Sequence, residues 1–360
     1  MSETIYKDIV AFHPGSYVND IIQELNVTQV DFAKRLDSNV KTVSGLVNGT
    51  VNITLDLANK LSKLTGTSID LWLNLQKEYE KKIIEIENQK IADEEEVCKI
   101  IDISYFKKNG LLPAHRMSIK EKIQALRSIL KYANLTKLQE FNTVVSWRRQ
   151  DNFKLINVVN ANVMLEIAIN LARDKTDNKL DIKKLNSYLP EIKEMTKSED
   201  SSFFSRLKEL LLDCGIVLIA LPHLKNAGIN GATTKFNNGS VLLMITDRNK
   251  SSDIFWFSLY HELGHILNKD FISNLSEDEY TERETKADLF AQNELIPKDS
   301  YTGFIEDRIF TSESIKDFAN SNGIHPGIVV GRLQRDEYIP WNSLNDVKVS
   351  YQIELSTIGK

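Results

Sequence analysis

"FWFSLYHELGHILN", residues Phe255–Asn268, places a histidine at 261, a glutamate directly after it and a second histidine at 265. On an α-helix, residues four apart share a face, so His261 and His265 can present two imidazole nitrogens to one cation. Glu262, about 100° further round, reaches a water beside that cation more easily than the cation itself. This is the division of labour of a hydrolytic metal centre, in which two neutral imidazoles and one further side chain bind and a fourth position stays open. A cation held this way brings a water's pKa to roughly 7, and the glutamate takes the proton and passes it to the leaving amine. With only 6 His in 360 residues, chance produces the pattern on the order of one time in a hundred. Phe255, Phe257, Leu259 and Leu263 already supply a buried stripe, so the histidines are not needed as core.

The remaining histidines are poor third ligands. His13 and His115 are remote in sequence, His223 precedes a predicted hairpin, and His325 opens a helix sixty residues on. "EYTERETKADLFAQNELIP" (279–297) offers a better one, because Glu284 and Asp288 lie four apart on a second predicted helix. That spacing can aim Glu284 at the metal while Asp288 accepts a hydrogen bond from a ligating imidazole and sets its tautomer. Glu282 is the rival, but its partner at i+4 is Lys286, which cannot accept a histidine N–H. Two histidines and a glutamate with an open position favour Zn2+ over manganese or iron. His325 is a candidate stabiliser of the transition state and Tyr260 a weaker one, although "HPG" fits helix capping better. The run "SVLLMIT" (240–246) is a candidate edge strand for pairing with an extended peptide.

"HELGHILN" followed by "ETKADLFAQNELIP" resembles the ImmA/IrrE family of bacterial zinc metallopeptidases, and the similarity runs from about residue 201 to 341. The resemblance implies an α+β zincin-like domain with His261, His265 and Glu284 as zinc ligands, Glu262 as general base and Asp288 behind a ligand. Lys286 departs from the family, where an acidic residue is common at that place. Such proteins are implicated in cleaving or otherwise inactivating transcriptional repressors, which implies a protein substrate.

The sequence upstream is helical. "TQVDFAKRLDSNVKTVSGLVNG" (28–49) has one helix packing through Phe32, Ala33 and Leu36, a three-residue turn, and a second helix with a polar face. That is the logic of a helix-turn-helix, with Gln29 placed to meet a phosphate and Asn39, Lys41, Thr42, Ser44 and Asn48 placed to meet bases and phosphates. "HPGSYVNDIIQEL…TSIDLWLNLQKEYE" around it resembles HigA-type antitoxins of the Xre-like class, from His13 to Glu80. The resemblance implies operator DNA as a ligand, a homodimer and, in one reading, a RelE-like toxin as partner. Charge gives less support: six basic against eight acidic residues between His13 and Glu80 leave a local net of −2, so phosphate neutralisation by one copy is weak.

The predicted organisation is an all-α helix-turn-helix domain (1–80), a helical rod and spacer (81–200) and the α+β metallopeptidase domain (201–360). In the third part "IVLIAL" reads as a buried strand, "GATTKFNNGSVLLMIT" as two strands joined at Asn237-Asn238-Gly239, and Asp253 as the cap of the motif helix. Composition is that of a globular protein, 42% hydrophobic and 26% charged. No apolar run approaches the roughly eighteen residues of a membrane span and no signal peptide is visible, so no membrane partner is expected. Cys98 and Cys214 are far apart and the net charge is −5, which fits a cytoplasmic chain without a thiolate site. The expected function is a DNA-binding transcriptional regulator whose zinc endopeptidase cuts a protein partner such as a repressor. The alternative is a HigA-like antitoxin and repressor whose metal domain senses or scaffolds without turnover.

Overall fold

The computed structural model describes residues 3–140, 154–198, 200, 202–271 and 276–355, and the chain divides into Met1–Glu95 and Glu96–Lys360. The first unit opens with an antiparallel hairpin of β1 (Glu3–Tyr6) and β2 (Ile9–Phe12). This hairpin was not expected from the sequence, because its two-residue turn, Lys7-Asp8, carries no glycine or asparagine signal. Helices α1 (Gly15–Glu24), α2 (Gln29–Arg35), α3 (Val40–Val47), α4 (Leu55–Thr65) and α5 (Ile69–Ile100) follow. Val18, Ile22, Phe32, Leu36, Val43, Leu46 and Leu61 form their core. Each short helix starts on a polar cap: Thr28 accepts the Asp31 N–H, Asn39 the Thr42 N–H and Thr54 the Leu57 N–H. Gly15 is required by packing, since a Cβ there would lie 1.6 Å from the Leu46 carbonyl oxygen.

The second unit takes up the last turn of α5 and continues through α6 (Ile103–Lys108), α7 (Ile119–Leu130), α8 (Leu155–Ala172), α9 (Ile182–Glu194) and α10 (Phe203–Asp213). A three-stranded sheet follows, of β3 (Ile216–Leu221), β4 (Gly231–Lys235) and β5 (Val241–Thr246). The strand order is β3-β5-β4, with β3 parallel and β4 antiparallel to the central β5. Then come α11 (Ser252–Asn268), α12 (Glu277–Leu295), α13 (Lys298–Glu306), α14 (Ser312–Asn322) and α15 (Pro326–Arg335).

The two-residue period of β5 decides how this unit packs. Val241, Leu243 and Ile245 enter a core with α9 to α15, whereas Leu242 and Met244 enter another with α6, α7 and α8. Each such side chain contributes about 1.5–3 kcal/mol by leaving water, so both faces of the sheet must be covered. Helices read from sequence as a spacer therefore bury one face of the sheet. Residues 141–153, part of the stretch expected to be a helical spacer, lie outside the described residues.

Four expectations change. Strand β5 is central, so "SVLLMIT" presents no free edge, and β4 is an edge strand. Asp253 sits inside the first turn of α11, behind the N-cap Ser251, where its carboxylate pairs with Lys348 at 2.8 Å. The helix α13 was not read from the sequence. Finally, α8 is long and apolar enough to cross a membrane, with a mean hydropathy of 1.5, although 61% of it is buried inside the protein. Its asparagines and Glu166 break the run for the eye while leaving the average high.

Helices α11 and α12 meet at Gly264 and Ala287. A Cβ on Gly264 would stand 3.1 Å from the Cα of Ala287 and 3.1 Å from Cδ1 of Phe290. Gly264→Val should therefore lower the stability of the protein by about 1–3 kcal/mol, despite the better helix propensity of valine. A urea midpoint equal to that of wild type would contradict the close packing.

Candidate functional site

The sheet and the core behind it hold α11 by Trp256, Leu259, Leu263 and Ile266, all fully buried. That orientation turns His261 and His265 toward α12. The two Nε2 atoms stand 3.1 Å apart, and the Glu284 carboxylate lies 3.4 Å from Nε2 of His261 and 3.2 Å from that of His265. Metal–ligand bonds of about 2.0–2.2 Å at tetrahedral angles place neighbouring donor atoms about 3.3 Å apart. Oε2 of Glu284 faces His261 and Oε1 faces His265, and one donor atom from each of the three side chains lies within 4.8 Å of the others. The residues fit a divalent cation.

Behind each imidazole stands a carboxylate paired with an arginine. Nδ1 of His261 is 2.8 Å from Asp288 Oδ1, and the other oxygen of Asp288 accepts from Arg335 at 2.8 Å. The Arg335 guanidinium in turn lies 4.4 Å over the Phe257 ring. Nδ1 of His265 is 3.5 Å from Asp270 Oδ2, and Arg283 lies 3.7 Å from the remaining oxygen. Both rings thus turn Nδ1 toward an acid and Nε2 toward the common point, His261 through a hydrogen bond and His265 through a longer contact. Asp288 was foreseen from its spacing. Asp270, Arg283 and Arg335 were missed, and the cause is local: Lys269 ends α11 in the left-handed region with φ 59°. The Asp270 N–H then returns to the His265 carbonyl at 2.9 Å. No glycine marks that turn in the sequence, and a non-glycine residue there costs about 1 kcal/mol.

Glu262 is 3% exposed. Burial pushes its carboxyl above the usual range, while His261 and His265 pull it down. Burial likewise opposes ionisation of Glu284, but its hydrogen bonds to His261 and His265 outweigh that and hold it well below the ordinary carboxylate range. For His261, burial disfavours the charged ring, yet Asp288 and Glu284 prevail and raise it to about 10. Glu262, Glu284, Asp288 and Asp270 against Arg335 and Arg283 leave two negative charges in excess when the histidines are neutral, a balance that suits a divalent cation. Gly231, the first residue of β4, makes room for the base: a Cβ there would lie 2.8 Å from Glu262 Oε1. The edge strand therefore runs beside Glu262.

His325 is at the N-cap of α15, where its Nδ1 accepts the Gly327 N–H at 3.0 Å. That capping contact accounts for its burial, and Tyr260, the other sequence candidate for an oxyanion, turns its hydroxyl to the Leu189 carbonyl. In the first unit Asn39, Lys41 and Asn48 are exposed, and Gln29, Thr42 and Ser44 are half-buried. Several of these groups already pair with each other. Asn39 Oδ1 accepts from the backbone and hydroxyl of Thr42 at 2.8 and 3.0 Å, and Asn48 donates to Ser44 at 3.3 Å. Gly45 of α3 is set by packing, since a Cβ there would stand 2.4 Å from Val51 Cγ2.

Two substitutions separate the roles at the centre. Glu284→Gln should abolish high-affinity zinc binding, and Arg335→Ala, which touches no donor atom, should weaken it about tenfold through Asp288. Competition against a chromophoric chelator reads both; an unchanged affinity in Arg335→Ala would remove that residue from the site.

Comparison with known proteins follows this division. Residues 19–72 match the family model for the helix-turn-helix domain, and residues 216–321 match the IrrE N-terminal-like domain of the M78 peptidases. The chain is 38% identical over 63 residues to the uncharacterized HTH-type transcriptional regulator YddM of Escherichia coli K12, covering 18% of this chain and 67% of that one. It is 41% identical over 64 residues to an uncharacterized HTH-type transcriptional regulator of Haemophilus influenzae, covering 16% of this chain and 60% of the relative. Among solved structures, an addiction module antidote protein of a HigA family from Coxiella burnetii is 32% identical, with a TM-score of 0.22 and coverage of 23% of this chain and 94% of that one. The chain belongs to the Xre-type helix-turn-helix proteins and joins to that domain a C-terminal IrrE/ImmA-like domain of the M78 peptidase type.

Proposed function

We propose that the protein is a DNA-binding regulator whose C-terminal domain hydrolyses a peptide bond in a protein partner, with Zn2+ held by His261, His265 and Glu284. The observation that supports this most is the convergence of two imidazole nitrogens and the Glu284 carboxylate, with contacts of 3.1–3.4 Å, beside the buried carboxylate of Glu262. Held there, zinc supplies Lewis acidity, lowering the pKa of water and polarising the scissile carbonyl. Glu262 takes the proton of the attacking water and delivers it to the amide nitrogen as that group leaves. Burial supports this role by raising its proton affinity. Asp288 and Asp270 keep the two imidazoles oriented throughout. Strand β4 is the edge available for an extended substrate, and Gly231 brings that edge against Glu262. The reading places the protein in the cytoplasm, where the helix-turn-helix domain, acting as a homodimer, brings the peptidase to a repressor or other regulator at an operator.

Glu262→Gln separates this reading from that of a HigA-like antitoxin with a non-catalytic metal domain and a RelE-like toxin as partner. The variant should keep one zinc per chain and lose cleavage of the partner by at least about a thousandfold. The readouts are metal analysis and intact-mass spectrometry of candidate regulators co-expressed with each form. Equal effect of wild type and variant on the partner, in cells and with purified proteins, would refute hydrolysis.

A further inference from the structure

A second cleft lies away from the three-donor cluster, in the same unit, with a volume of about 730 Å³. It is placed at the carboxyl ends of the parallel strands β3 and β5: Pro222 and His223 follow the first, Asp247 and Arg248 the second. Crevices outside the carboxyl ends of parallel strands are where α/β sheets take up small ligands. Lys108, Lys225, Arg248 and Lys250 line it, and no ion pair joins any of them to an acid among the described residues. Two of the acids in the wall accept backbone N–H groups. Asp247 accepts the His223 N–H at 2.7 Å and the Ile353 N–H at 3.1 Å. Asp102 accepts the Ser104 N–H at 2.9 Å and Glu354 is exposed, so the four cations of the lining exceed its three carboxylates by one charge.

His223 adds an independent sign. Its ring lines the cleft, and its Nδ1 is buried and without a hydrogen-bond partner among the described residues. Burial, reinforced by Arg248, keeps the ring below its ordinary pKa, so a neutral imidazole faces the cleft. Pro222, Ile353 and Leu355 supply an apolar wall. The volume is that of a small-molecule site and the charge that of an anion receptor.

We propose that this cleft binds a small phosphate-bearing molecule, its phosphate held by Arg248, Lys225 and Lys250 and its less polar part against Pro222 and Ile353. Such a ligand bridges the end of β3, the loop into α11 and the segment 352–355. The binding itself does not depend on peptidase activity.

Phosphorus NMR of inorganic phosphate with the full-length protein tests the proposal, comparing wild type with Arg248→Ala, Lys225→Glu and, as a charge-matched control on α14, Lys316→Glu. Saturable line broadening is expected in wild type and Lys316→Glu, weakened at least about tenfold in both cleft variants. Lys225 is exposed, so Lys225→Glu decides the matter if Arg248→Ala fails to fold. No broadening with wild type, or equal broadening in all the proteins, overturns the proposal. Release of phosphate by a short DNA duplex with equal potency in wild type and Lys316→Glu assigns the cleft to the nucleic-acid backbone and overturns it too.

Discussion

The candidate centre depends on how closely α11 and α12 approach. Gly264 and Ala287 remove side-chain bulk at the crossing, and only this closeness lets Glu284 reach both imidazoles at 3.2–3.4 Å. The same contact carries a cost. It brings Glu262, Glu284 and two histidines into a poorly hydrated space, where an uncompensated charge is expensive. The two arginine–carboxylate pairs behind the histidines offset part of that cost, and a divalent cation offsets more. The two sheet cores stabilise the helix that bears the motif, so the site is assembled on a frame that hydrophobic burial has already fixed.

Packing also explains why the sequence surrounding the site looks as it does. Buried on both faces, β5 reads as an unbroken apolar run. The helices of residues 96–198 have few chemical motifs because their work is to cover the sheet. Lys348 extends the frame from the other side, since its ammonium joins Asp253 at the start of α11 to Gln334 of α15, at 2.8 Å in each case. A buried pair of this kind gives little net stability but fixes one arrangement of the elements it joins.

What was legible in the sequence is what local geometry dictates. Spacing of four on a helix brought out His261 with His265 and Glu284 with Asp288, and their side chains do converge. The helices of the first unit are capped locally as well, by Thr28, Asn39 and Thr54, each bonding an N–H three residues on. Hidden features depend on distant partners or on unmarked turns. Arg335 meets Asp288 across 47 residues, and Lys269 takes a left-handed turn without glycine. Strand order was hidden as well: "SVLLMIT" has the same apolar run whether it lies at an edge or in the centre. Asn39 and Thr42 were read as groups free for DNA, but helix capping uses the same atoms that would meet a base.

X-ray absorption at the zinc edge of the protein loaded with one equivalent of Zn2+ tests the metal centre most directly. The account predicts first-shell nitrogen and oxygen scatterers at about 2.0–2.1 Å, with the multiple-scattering signature of two imidazoles. A sulfur scatterer near 2.3 Å or a six-oxygen shell without imidazole would contradict it.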